Sequence, residues 1–207
     1  MNPIRLLLVL IPVCLALGAA QARADDIAEP QRIIQTVSDR LQGELTSNRS
    51  TLRADLSQVY ALADEVLMPH VDTDRVAQLV LGKYWRTASQ EQRSTFTSEF
   101  KQLLLRTYAA AFADAGDWRI EHLPMRLPEG SDDALVRTRI QSAGAPPVSV
   151  SYRMARGEHG WQAYDVVIEG VSLITTYRNG FQREVERGGV DGLIQRMAQM
   201  NRERAVN

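Results

Sequence analysis

The chain is poor in the side chains that carry metal and redox chemistry. It has one cysteine, three histidines and only two lysines, Lys83 and Lys101, in 207 residues. The cysteine, Cys14, lies in an apolar stretch near the start, so the chain can form no disulfide within itself and offers no cysteine pair to a metal. His70, His122 and His159 are far apart, with no His-Glu-x-x-His pair, so exposed histidines are expected rather than a metal centre. No G-x-S-x-G elbow, Walker loop or G-x-G-x-x-G is present, which removes the commonest signatures of hydrolases and nucleotide enzymes. Asp72-Thr73-Asp74 resembles a fragment of a calcium loop but lacks the glycine and distal glutamate; a helix cap explains it better. At a formal net charge of −1 there is no basic excess to neutralise phosphates, so nucleic acid is not an expected partner.

The chain's longest apolar run, Leu6 to Leu17, contains Pro12 and falls short of the ~20 residues that span a bilayer. Arg5 precedes it and Ala22-Arg23-Ala24 follows, so residues 1–24 read as a cleavable signal peptide. Cleavage after Ala24 removes Cys14 and leaves a protein whose stability must come from its core alone.

What remains changes period near Gly116. Residues 25–116 are mainly helical in pattern. Pro30 suits a helix start, and Ile33, Val37, Leu41 and Leu45 recur every four residues. A polar turn at Thr46 to Ser50 precedes a second helix from Leu52 to Leu67, closed by Pro69. Asp72 or Thr73 caps a third, stopped by Gly82. Ser89 with Gln92 makes a capping box for a fourth, whose wide stripe runs from Phe96 through Tyr108 to Ala111 and Phe112.

Residues 117–170 alternate with period two over Trp118–Leu127, Ala134–Ser142, Val148–Arg156 and Trp161–Ile168, and the short turns between them make the sheet antiparallel. Val148, Val150, Tyr152 and Met154 point to a buried face, Ser149, Ser151 and Arg153 to a wet one. Residues 171–207 return to helix, capped by Ser172 and broken at Gly188-Gly189, and pack back on the same single domain.

Asp165 and Glu169 are the carboxylates with a possible chemical role, since a partly buried acid can act as general acid or base. Strand alternation puts Asp165 on the face of Trp161 and Ala163, unless a bulge turns it outward. A structural hydrogen-bonding role is the stronger expectation.

The block Trp161-Gln-Ala-Tyr-Asp-Val-Val-Ile-Glu-Gly-Val-Ser-Leu-Ile-Thr-Thr, with Leu79-Val-Leu-Gly-Lys-Tyr-Trp85, Gln92-Arg93, the Phe96-to-Phe100 helix and Gly189-Val-Asp-Gly-Leu193, resembles the MlaC or toluene-tolerance family of periplasmic phospholipid-binding proteins. The likeness runs from about Leu52 to Met200. It implies an α+β fold in which a helical subdomain packs on a curved, NTF2-like antiparallel sheet of about four strands and encloses an apolar cavity. It also implies a monomeric, non-enzymatic periplasmic carrier with phospholipid as cargo and no cofactor. Its expected partners are an outer-membrane lipoprotein–porin complex and an inner-membrane MCE-protein ABC transporter. The cavity is then expected between sheet and helices. Val150, Tyr152, Trp161, Ala163 and Val167 would line it from the sheet, and Phe96, Phe100, Leu103 and Tyr108 from the fourth helix. Leu67, Val76, Val80, Val171 and Ile174 would line it from the flanking elements. A bulge in the last strand would exchange Trp161 and Ala163 for Tyr164 and Val166. An NTF2-like enzyme using Asp165 and an adaptor with a filled core are the alternatives.

Overall fold

A computed structural model describes residues 27–114, 118–142 and 144–206. The expected signal peptide, the Gly116 boundary and the side chains of Ala111 and Phe112 lie outside the described residues. The helices of the first half are α1 (Glu29–Ser47), α2 (Arg49–Ala54), α3 (Leu56–Leu67), α4 (Thr73–Leu81) and α5 (Gln90–Asp114). Single 3-10 turns, Met68–His70 and Gly82–Arg86, flank α4. Strands β1 (Trp118–His122), β2 (Asp133–Ser142), β3 (Val148–Gly157), β4 (Gly160–Ile168) and β5 (Val171–Ser172) lead into α6 (Leu173–Val206).

Capping residues set most of these boundaries. Asp72 accepts from Arg75 N at 3.0 Å, and Ser172 Oγ from Thr175 N at 3.1 Å. Ser89 and Gln92 exchange bonds of 2.9 and 3.1 Å, a closed capping box. Where a single helix was expected from Leu52 to Leu67, Asp55 divides it: its carboxylate takes Ser57 N at 2.9 Å and Ser57 Oγ at 2.6 Å, ending α2 and capping α3. The tail breaks where expected, for α6 is two helices joined at a kink at Gly189, non-helical at φ 69°, ψ −176°.

The sheet is an antiparallel meander in the order β1-β2-β3-β4-β5. β1 stops at His122, short of the expected Leu127, as Pro124 has no N–H for the ladder. The two-residue β5 adds a fifth strand to the four expected, reached by a tight turn at Glu169 and Gly170 with φ 48° and 81°. Glu169 holds that unusual conformation while its N–H donates to Ser149 O and its carboxylate accepts from Ser149 N.

Arg153 pairs with Asp165 but Met154 pairs with Ala163, so Tyr164 is an extra residue in β4. This bulge puts Trp161 and Ala163 on the same face as Val166 and Ile168, facing the helices. We call this the inner face. Asp165 and Val167 turn to the other, outer face. Hydrophobic burial is divided between two main cores: one among α4, α5 and α6 around Phe96, Phe100, Leu193 and Met197, and one where α1 places Ile34 against Val136, Met154, Trp161 and Ala163. α3 packs beside α1 through Val37, Leu41 and Val66.

Candidate functional site

Ten of the fourteen expected lining residues fall in these cores or in the α1–α3 contact. Val80, Phe96, Phe100, Leu103 and Ile174, with Val76 at the margin, belong to the helical core. There Phe100 stacks on Phe96 at 5.8 Å and meets Tyr177 and Phe181 edge-on at 5.0 and 5.6 Å. Phe96 is 0 % exposed, so in this arrangement its surface is wholly covered by protein. Trp161, Ala163 and Tyr152 belong to the sheet core, and Leu67 packs at its α1–α3 side. Val150 is buried on the inner face and Tyr108 partly buried on α5. Two residues lie away from these groups. Val167 is on the outer face because of the bulge, and Val171, in the edge strand β5, is 60 % exposed.

The inner face is built by alternation along four strands. Val136, Thr138 and Ile140 of β2 stand opposite Tyr152, Val150 and Val148 of β3, and Val150 and Tyr152 stand opposite Ile168 and Val166 of β4. α1 crosses this face, packing Ile33 and Ile34 at one end and donating from Gln42 Nε2 to Trp118 O at 2.6 Å at the other. Partly accessible apolar surface remains between, on Ile140, Tyr152, Val166 and Ile168, and Val148 is exposed at the rim. Val166 and Ile168 enter only through the bulge, which left no residue signature to read in advance.

Polar groups on this face are few. Burial raises the pKa of the Tyr152 phenol, partly offset by a hydrogen bond with Thr138. Thr138 Oγ1 donates to Val150 O at 3.2 Å. His122 corrects the expectation of exposed histidines, for both its ring nitrogens are buried. Desolvation lowers its pKa, and the nearby Asp39 carboxylate acts in the opposite direction.

The Asp165 side chain is 2 % exposed, with Arg153 beside it at 3.6 Å. It accepts from Ser172 Oγ at 2.8 Å and Ile174 N at 3.2 Å, tying β4 and β5 to the start of α6. It points away from the inner face, and its partners are structural. Among the described residues no three His, Cys, Asp or Glu side chains are grouped to hold a metal, and no helix is long and apolar enough to cross a membrane. A cleft near Gly82, walled by Val80, Tyr84, Arg178 and Phe181, holds about 40 Å³, room for a water rather than an acyl chain.

An open antiparallel sheet with one apolar face under helices places the chain in the α+β class. Comparison with known proteins narrows this class. Residues 35–199 match the model of the family described as MlaC protein, and the chain belongs to that family. It is 27 % identical over 175 residues to the intermembrane phospholipid transport system binding protein MlaC of Haemophilus influenzae, covering 82 % of this chain and 81 % of that protein. It is 25 % identical over 163 residues to the toluene tolerance protein ttg2D of Pseudomonas putida, covering 78 % and 75 %. Among solved structures, the phospholipid-binding protein from Ralstonia solanacearum in complex with a phospholipid has the same fold. It matches with a TM-score of 0.80 and 33 % identity over 86 % of this chain and 99 % of that one.

Proposed function

We propose that this protein is a periplasmic phospholipid carrier, exported by a cleaved signal peptide. It holds acyl chains against the inner face of the sheet in an NTF2-like cavity and passes its cargo between an outer-membrane lipoprotein–porin complex and an inner-membrane MCE-protein ABC transporter. The observation that carries the reading is the 33 % identical relative of the same fold, solved with a phospholipid bound. The accessible apolar surface between Val150, Tyr152, Val166 and Ile168 supports it. In this reading Leu67, Tyr108 and Ala163 complete the walls. Val76, Val80, Ile174 and the Phe96–Phe100–Leu103 stripe bound the helical side, and Trp161 closes one end.

Energetics explain the need for a carrier. At ~0.8 kcal/mol per buried CH₂, exposing two acyl chains to water costs on the order of 20 kcal/mol. The carrier therefore acts by burial; in this reading it is a monomer with no cofactor and no catalytic step, and direction comes from the relative affinities of its partners. Solvent extraction of the purified mature protein followed by mass spectrometry tests this. Near-stoichiometric diacyl phospholipid is expected. Its absence, even after incubation with vesicles, overturns the carrier in favour of an adaptor with a filled core.

A further inference from the structure

The inner face carries Arg156 and Trp161 Nε1, unpartnered among the described residues, at one end and a line of polar side chains nearer the other. His122 pairs with Thr138, and Tyr152 lies diagonal to Thr138 on the next strand, so three polar side chains project from the same face. Their protons can be followed. Thr138 donates to Val150 O and shares a hydrogen bond with Tyr152, so both residues have a partner. His122 does not. Nδ1 and Nε2 are both buried without a partner among the described residues, an arrangement that native proteins rarely leave unfilled.

The charges around the ring decide what fills it. The Asp39 carboxylate on α1 is near enough to act on the ring electrostatically. Arg119 and Glu121 on β1 and Arg137 and Arg139 on β2 have the opposite strand parity and project from the outer face. Burial favours the neutral imidazole, with one N–H to donate. Arg156 shares this face but sits at its far end, over Trp161 and beside Glu29, and no cation of β1 or β2 projects toward the ring, which favours an uncharged acceptor over a phosphate. In a diacyl phospholipid the uncharged acceptors nearest the tails are the ester carbonyls.

We propose that His122 is the polar anchor of the lipid site, donating a ring N–H to an ester carbonyl oxygen of the bound lipid. This rests on the carrier reading above. The test compares delipidated protein binding diacyl and dialkyl-ether phosphatidylglycerol from vesicles, for the wild type, His122→Phe and His122→Gln. One neutral hydrogen bond predicts that the wild type prefers the ester lipid by about five- to tenfold. His122→Phe should lose that preference with ether-lipid binding unchanged, and His122→Gln, which keeps an N–H, should recover part of it. Equal binding of the two lipids by the wild type overturns the proposal, as does a preference that survives in His122→Phe. If His122→Phe does not fold, the wild-type comparison and His122→Gln still decide. Binding of neither lipid by the wild type overturns the carrier reading, and this proposal with it.

Discussion

Replacing Asp165 with alanine separates a structural carboxylate from a catalytic one. The substitution leaves Ser172 Oγ and Ile174 N without their acceptor inside the corner where β4, β5 and α6 meet. Hydrogen bonds to a charged group contribute about 1.5–3 kcal/mol each, with non-additivity bringing two in one network below their sum. Arg153 adds little, because its side chain is 52 % exposed and 3.6 Å away. A loss of about 3 kcal/mol is therefore expected, which for a domain of this size lowers Tm by about 6–12 °C. Asp165→Asn keeps one acceptor oxygen and should lose about half as much. Thermal unfolding followed by circular dichroism measures both. A loss under about 1 kcal/mol in Asp165→Ala would refute the assignment and return Asp165 to the catalytic reading.

Other consequences can be checked with the same preparations. Because burial lowers the pKa of His122 in the folded state, the unfolded chain takes up the proton first as pH falls below ~6.5. Urea unfolding should thus show stability flat above that pH and declining below it through the lowered folded pKa, and His122→Phe should remove this component of the decline. Val150→Trp, on the inner face, should reduce lipid loading in the extraction assay, whereas Leu103→Trp should cost about 1–3 kcal/mol by overpacking the helical core. Gly189→Ala, forced to φ 69°, ψ −176°, should cost about 1–3 kcal/mol in urea unfolding; a neutral result would mean α6 straightens there without penalty.

Local chemistry was legible wherever a boundary depends on one or two neighbours. The Ser89–Gln92 box and the Gly82 stop were read from spacing alone and form as expected, and of the two caps the spacing allowed, Asp72 or Thr73, Asp72 makes the bond. Asp55 was missed because the apolar stripe of α2 and α3 continues across it, and only its bond to Ser57 shows that the helix restarts. Alternation along β3 identified the buried face correctly. Val167 was misplaced because one extra residue at Tyr164 reverses the parity of all that follows, and a bulge depends on partner register rather than on the strand's own sequence. His122 was read as exposed for a similar reason. Its burial depends on α1 crossing a strand that lies far from it along the chain.

The claim that acyl chains lie on the inner face is tested most directly by photo-crosslinking with a phospholipid that carries a diazirine on one chain, with adducts located residue by residue by tandem mass spectrometry. The account predicts labelling at Val150, Tyr152, Val166 and Ile168, which share that face. Labelling confined to Ser151, Arg153 and Val167 on the opposite face would contradict it.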